Sequence, residues 1–167
     1  QTLLAFKNDD PNGNGQKDEI PLIGNISWVA WKPLVYLMDA FEYNEDGTNL
    51  FVNASGNVYP AYTQDGYKEG LKWINKLYCE GLIAPETFTM SDMSTYRTVA
   101  GQEPNIVGFM PSHAAYTAAE MYADDFVMIP PLKGPDGKQY ATKINTISNG
   151  GVLISGKTEY PEVCIRI

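Results

Sequence analysis

Asp10-Pro11-Asn12-Gly13-Asn14-Gly15-Gln16-Lys17-Asp18-Glu19-Ile20-Pro21 is the stretch on which the reading of this chain turns. Oxygen-bearing side chains fall at its first, third, fifth and ninth positions (Asp10, Asn12, Asn14, Asp18). Gly15 stands at the sixth and the Gln16 carbonyl is available at the seventh, the alternation that a hard cation such as calcium requires. An EF-hand closes with a bidentate glutamate at the twelfth position, but here that position is Pro21 and the nearby bidentate candidate is Glu19 at the tenth. Closure by a different path is expected. The alternative is a solvated turn, because Asn and Gly supply the left-handed conformations that turns need. A turn, however, has no use for oxygens at alternate positions, and the pairs Asp9-Asp10 and Asp18-Glu19 repel one another unless a cation or solvent separates them. Calcium in a structural role is the expectation, since nothing nearby supplies an activated nucleophile or a spare general base.

Around this loop, 167 residues with 44% hydrophobic content are enough to bury a core, as one domain or a large part of a two-domain protein. Twelve basic against 20 acidic residues leave a net charge of -8, which argues against nucleic acid or an anionic membrane as partner and fits a secreted protein. No apolar run approaches the length of a membrane helix and no basic-then-apolar leader is present, so an export signal or anchor is expected outside this stretch. Cys79 and Cys164 match no metal-ligand spacing and read as buried or half-buried free thiols, with a disulfide between them left open.

Outward from the loop, residues 1–7 read as the last turns of a helix and 20–24 as a short extended piece. Asn25 or Ser27 is placed to cap a helix carrying Trp28, Trp31, Leu34, Val35 and Met38, with Pro33 in its first turn; residues 42–47 form a polar turn. Segments 50–52 and 57–59 form a hairpin around 53–56. The longest helix, 63–79, sets Tyr67, Leu71, Ile74 and Tyr78 on one stripe and Trp73 with Leu77 on its neighbour, and stops at Gly81. Ser91 or Asp92 caps a helix through Met93, Tyr96 and Val99 to Gly101. Strands are expected at 105–110, 126–129 and 152–155, a helix from Pro111-Ser112 through Ala114 and Tyr116 to Met121, a tight Gly134-Pro135-Asp136-Gly137 turn, and a last helix from Tyr160-Pro161.

Catalytic signatures are missing. His113 is the one histidine, and there is no G-x-S-x-G, no H-E-x-x-H and no glycine-rich phosphate loop after a strand. The carboxylates cluster in loops rather than at strand ends, so the expectation is a protein that is not an enzyme.

Several stretches together carry a family resemblance: Ala5-Phe6-Lys7 running into the Asp-Pro-Asn-Gly-Asn-Gly loop, Leu77-Tyr78 with Gly81-Leu82-Ile83, Pro131-Leu132-Lys133-Gly134-Pro135-Asp136-Gly137, and Ile154-Ser155 with Tyr160-Pro161-Glu162. In these the chain resembles the extracellular solute-binding proteins of ABC importers, in the family-one, lipoprotein-type branch that includes alginate-binding proteins. The resemblance implies an α/β, type II periplasmic-binding-protein-like lobe, helix-rich with a small mixed sheet. It implies that residues 1–146 form the second lobe of a two-lobed protein and 147–167 a return segment crossing the hinge. In that branch the loop resembles an EF-hand ending on the Asp-Glu pair, which implies Asp10, Asn12, Asn14, the Gln16 carbonyl, Asp18 and Glu19 as calcium ligands.

The resemblance also implies a site. In relatives of the maltose-binding kind, aromatic residues stack on sugar faces at two points, corresponding here to 27–31 and to the turn after the 106–110 strand. These give Trp28, Trp31, His113 and Tyr116 as candidate ligand-binding residues, although the second point usually carries a tryptophan. Stacking suits a sugar because its C–H face is apolar. A core role for both tryptophans, on one amphipathic helix, stands beside that reading. The implied partners are an oligosaccharide and the subunits of an ABC permease, with a monomer tethered outside the membrane through a lipid anchor. The alternatives are a calcium-dependent secreted interaction module, which would call for duplicated calcium loops, a binding protein for peptides, and a polysaccharide-active enzyme.

Overall fold

In the computed structural model, residues 1–42, 50–52, 55–114, 119–141 and 154–165 are described. The chain is helix-rich with little sheet. At its centre runs the extended strip that follows the loop, with Pro21, Leu22, Ile23, Gly24 and Asn25 all buried. Alternation along an extended chain sends neighbouring side chains to opposite faces. Leu22 accordingly enters a core with Leu37, Met38, Ile74, Leu77, Leu82 and Ile83. Ile23 enters another, with Tyr96 and Val107. The backbone of the strip is bonded on both sides. Ile20 N–H donates to the Ile106 carbonyl (2.8 Å), Gly108 N–H to the Ile20 carbonyl (3.0 Å) and Ile23 N–H to the Phe109 carbonyl (3.1 Å). Across from these, Ala84 N–H donates to the Leu22 carbonyl (2.9 Å) and Ile26 N–H to the Met90 carbonyl (2.8 Å).

Helix α1 (Thr2–Asn8) leads into the loop. The helix expected around Trp28 to Met38 is divided into a 3-10 turn at Val29–Trp31 and α2 (Pro33–Met38). Lys32 lies between them at φ -86 and ψ 109 because a residue before proline is pushed out of the helical region. Neither Asn25 nor Ser27 caps that helix. The Asn25 amide oxygen instead accepts from Ser27 N–H at 2.7 Å and from its hydroxyl, closing a local turn. Strands β1 (Leu50–Val52) and β2 (Val58–Pro60) form the expected antiparallel hairpin, registered Leu50 to Pro60, Phe51 to Tyr59 and Val52 to Val58.

Helix α3 (Asp65–Cys79) buries Gly70, Ile74 and Leu77, with Tyr67 and Trp73 half-buried against the same core. Leu71 and Tyr78, expected on the buried stripe, are 44% and 40% exposed. The inward face is the 70-74-77 row because the missing side chain at Gly70 admits the Met38 side chain of α2. The end of α3 is a Schellman closure: Gly81 N–H donates to the Tyr78 carbonyl and Leu82 N–H to the Leu77 carbonyl, with Gly81 at φ 65. Helix α4 (Met93–Ala100) starts at Asp92, whose carboxylate accepts from Thr95 N–H at 2.8 Å. Helix α5 (Pro161–Ile165) begins at the expected proline. Both cysteines are free, and Cys79 is exposed rather than buried.

Three other expectations change. Residues 105–110 are extended but meet the strip in a single parallel bridge, Ile20 to Val107. Residues 126–129 form no ladder among the described residues, and Val127 and Met128 are 83% and 84% exposed. The helix expected from Pro111 is absent at 111–114, where the Ser112 hydroxyl donates to the Ala114 carbonyl (2.7 Å) and accepts from its N–H (3.3 Å), holding the chain out of a helix. A 3-10 segment at Glu120–Asp125 comes later. The Gly134 to Gly137 turn closes as expected, with Gly137 N–H donating to the Gly134 carbonyl at 3.0 Å. Most of the polar turn at 42–47, the centre of the hairpin loop at 53–54 and the first half of the 152–155 strand lie outside the described residues.

The close approach of α2 to the strip rests on Gly24. A methyl group there would overlap the Pro33 ring and lie 2.9 Å from the Trp31 carbonyl oxygen. Gly24→Ala is therefore expected to cost about 2 kcal/mol or more, and to lower the thermal midpoint measured by circular dichroism by roughly 4–8 °C. An unchanged melt would mean that α2 can withdraw from the strip freely.

Candidate functional site

The 10–21 loop is wound by its own side chains. The Asp10 carboxylate accepts from Asn14 N–H (3.1 Å) and Gly15 N–H (2.7 Å), the Asn12 amide oxygen from Asn14 N–H (3.0 Å), and the Asn14 amide oxygen from Gln16 N–H (2.7 Å). The Asn14 amide nitrogen donates to Asp18 at 3.2 Å, so the fifth and ninth positions face one another. Asn12 Nδ2 donates to the Asn105 carbonyl (3.2 Å), tying the loop to the segment that bridges the strip. Gly13 and Gly15 sit at φ 70 and 77.

Glu19 stands apart. Both of its carboxylate oxygens are shut off from solvent and have no hydrogen-bond partner. A buried carboxylate without a donor or counter-ion is costly, and buried charges are ordinarily paired or bound to a metal. The orphaned group is the one that the sequence places as the bidentate closing ligand. Among the described residues no three carboxylate, imidazole or thiol side chains converge into a metal cluster by themselves. The remaining oxygens of the loop are amides and carbonyls, the donors calcium accepts alongside carboxylates. The donor set thus fits calcium and is unsuited to a soft transition metal.

At the other end of the strip lies a group of three rings. Trp28 and Trp31 meet edge to face with centroids 5.2 Å apart and planes at 71°. His113 lies 5.2 Å from Trp28 at 79° and 5.9 Å from Trp31 at 39°. The structure thus brings together three of the four residues expected at a ligand site, from two separate segments. Tyr116 lies outside the described residues. Trp28 is 42% exposed and His113 is exposed, so an open aromatic surface faces solvent. Trp31 is half-buried against the core of Ile23 and Tyr96, so the core reading holds for Trp31 and not for Trp28. Its indole N–H is cut off from solvent and has no partner.

Residues that sequence reasoning missed brace both walls. Asn25, fully buried, holds Ser27 beside Trp28 and donates through Nδ2 to the Asp92 carbonyl at 3.1 Å. Tyr96, also fully buried, donates its hydroxyl to the Pro111 carbonyl at 2.9 Å. Burial pushes the Tyr96 phenol well above the usual tyrosine range, which keeps it protonated as a donor. The signal that could have found it was a tyrosine on the inner face of an amphipathic helix, since a buried phenol needs a partner. A shallow, open hollow of about 550 Å³ lies elsewhere, on the outer face of α3, lined by Tyr62, Tyr67, Lys68, Leu71, Lys72 and Asn75. It lacks the paired rings of the Trp28 surface.

No family model matches the chain. Over 145 residues it is 33% identical to the fructooligosaccharide ABC transporter substrate-binding protein FusA of Streptococcus pneumoniae serotype 4, a match covering 87% of this chain and 26% of that protein. It is 27% identical over 152 residues to lipoprotein LipO of Bacillus subtilis, covering 83% of this chain and 28% of that one. The solved structure of FusA in complex with kestose superposes with a TM-score of 0.74 at 30% identity, over 87% of this chain and 28% of that one. A FusA EF-hand mutant in complex with fructo-nystose gives 0.72 at 29% identity, with the same coverage of each chain. The chain therefore spans about a quarter of the length of the curated relatives it matches. No described helix is long and apolar enough to cross a membrane.

At the start of α4 the Asp92 carboxylate is held well below the usual range by hydrogen bonds from the Ser94 hydroxyl, then the Thr95 hydroxyl and backbone N–H. A depressed native pKa stabilises the fold fully above the ordinary aspartate value, and that contribution declines as pH falls through the native one. Asp92→Ala is expected to melt below the parent protein at pH 7, with the gap constant down to about pH 4 and narrowing below it. A gap that persists unchanged in acid would show that the cap does not depend on ionisation.

Proposed function

Because the chain belongs with the substrate-binding proteins of ABC transporters, we propose that it is part of an extracellular protein that binds an oligosaccharide and delivers it to a permease, with a structural calcium ion in the 10–21 loop. The single observation that carries the sugar reading is the open trio of Trp28, Trp31 and His113, joined from two segments. An exposed indole offers a face to the C–H surface of a sugar ring, and the neighbouring imidazole nitrogens offer hydrogen bonds that fix orientation. Tyr116 belongs to the same proposed site. The relatives support the class of ligand: one is described as binding kestose. In this reading the protein is not an enzyme, as the relatives it matches are substrate-binding proteins.

In the same reading, residues 1–146 form the second lobe and 147–167 the return across the hinge, in a monomer anchored to the cell surface by lipid and making no use of nucleic acid. The calcium ligands are Asp10, Asn12, Asn14, the Gln16 carbonyl, Asp18 and Glu19. The orphaned Glu19 carboxylate and the EF-hand of FusA support that assignment. Bound calcium supplies the positive charge that the buried Glu19 lacks, and the loop residues hold the path from α1 into the strip.

Intrinsic tryptophan fluorescence against a panel of oligosaccharides, kestose included, tests the ligand reading. Trp28→Ala is expected to weaken binding by at least about tenfold, the worth of roughly 1.4 kcal/mol. Binding of peptides with no response to any sugar would overturn it. For the metal, calcium at a hundred times its Kd is expected to stabilise the protein by about 2.7 kcal/mol. Chelator should reverse this, and Glu19→Gln should abolish most of the response. A melt that ignores both calcium and chelator would sink the assignment.

A further inference from the structure

Helix α4 touches both walls of the aromatic trio through buried polar groups. One wall, carrying Trp28 and Trp31, is fastened where Asn25 Nδ2 donates to the Asp92 carbonyl at the first turn of α4. The other, carrying His113, is fastened where the Tyr96 hydroxyl donates to the Pro111 carbonyl at 2.9 Å. Asp92 and Tyr96 are one helical turn apart, about 6 Å along the axis. The spacing of the two walls is thus set by a rigid rod.

Pro111 is buried, so its carbonyl has no ready access to water if the phenol is taken away. An acceptor left without a donor in that position would draw the segment outward, and Ser112 and His113 follow directly. No helix holds 111–114, and local bonds between Ser112 and Ala114 shape that segment.

We propose that Tyr96 is a positioning residue that holds His113 against Trp28 and Trp31 through its hydrogen bond to the Pro111 carbonyl, and so sets the width of the ligand surface. This rests on the reading of the trio as the sugar contact. Tyr96 itself is fully buried, out of reach of a ligand on the surface. Its contribution is geometric: the imidazole stays 5.2 Å from Trp28, a separation at which the two rings make one continuous surface.

The chain has one histidine, so its imidazole proton resonances are unambiguous, and the neighbouring indoles displace them by their ring currents. Tyr96→Phe removes only the hydroxyl. It is expected to move the His113 resonances toward unfolded-chain positions and to raise the kestose midpoint about tenfold, the scale of one lost buried hydrogen bond, with the helical circular dichroism retained. Replacement of Tyr96 by 3-fluorotyrosine keeps the donor and is expected to leave the resonances in place. If the imidazole resonances stay put in Tyr96→Phe, or move as far with 3-fluorotyrosine, the proposal is overturned. A shifted imidazole with no kestose response in either protein would support the positioning role while retiring the sugar reading. The unsubstituted protein offers a check that needs no variant: the Tyr96 hydroxyl proton should exchange slowly, and exchange at solvent rate would refute the bond itself.

Discussion

The double-sided bonding of residues 20–26 is the constraint from which the rest of the chain takes its shape. An extended backbone buried at the centre of a protein has donors and acceptors on two edges that must all be answered. Here the 106–109 segment answers one edge and the 84–90 segment the other. Because Leu22 and Ile23 point to opposite sides, two hydrophobic clusters form around a single strip instead of one core between two layers. Helices α2 and α3 gather on the Leu22 side and α4 on the Ile23 side.

That arrangement puts the two chemically specific regions at the ends of one rigid element. The acidic loop enters the strip at Ile20, and the rings leave it after Asn25. Each end is fastened laterally as well, the loop through Asn12 to Asn105 and the ring segment through Asn25 to Asp92. Asparagine serves in both places because its amide can accept from its own turn while donating to a distant carbonyl. Neither aspartate nor serine offers both functions at that length.

Much of this was legible in the sequence where local chemistry decides. The proline at the head of α2, the Asp92 cap and the Gly81 stop depend on a few adjacent residues, and they stand as read. Contacts decided by tertiary partners were harder to read. Counting apolar residues put Leu71 and Tyr78 inward, but a glycine with no side chain determined which face of α3 met α2. The 126–129 run has strand composition and no partner strand among the described residues, so composition alone could not make a ladder. At the aromatic trio, the residues were singled out by the family resemblance, and their distances could not be read. Nothing in one dimension places His113 within 5.2 Å of Trp28, and the brace at Tyr96 looked like any other apolar position of an amphipathic helix.

The alternation at Leu22 and Ile23 also bears on where the chain tolerates a change of length. Side chains on an extended segment repeat every two residues, so one residue inserted between Ile20 and Asn25 would exchange the occupants of the two clusters and set small groups against spaces built for large ones. The same insertion in the exposed tip of a turn, such as Pro135 to Gly137, moves nothing that is buried on two sides. The turns of this architecture are therefore the places where a change of length is expected to be tolerated, while the strip is countable to the residue.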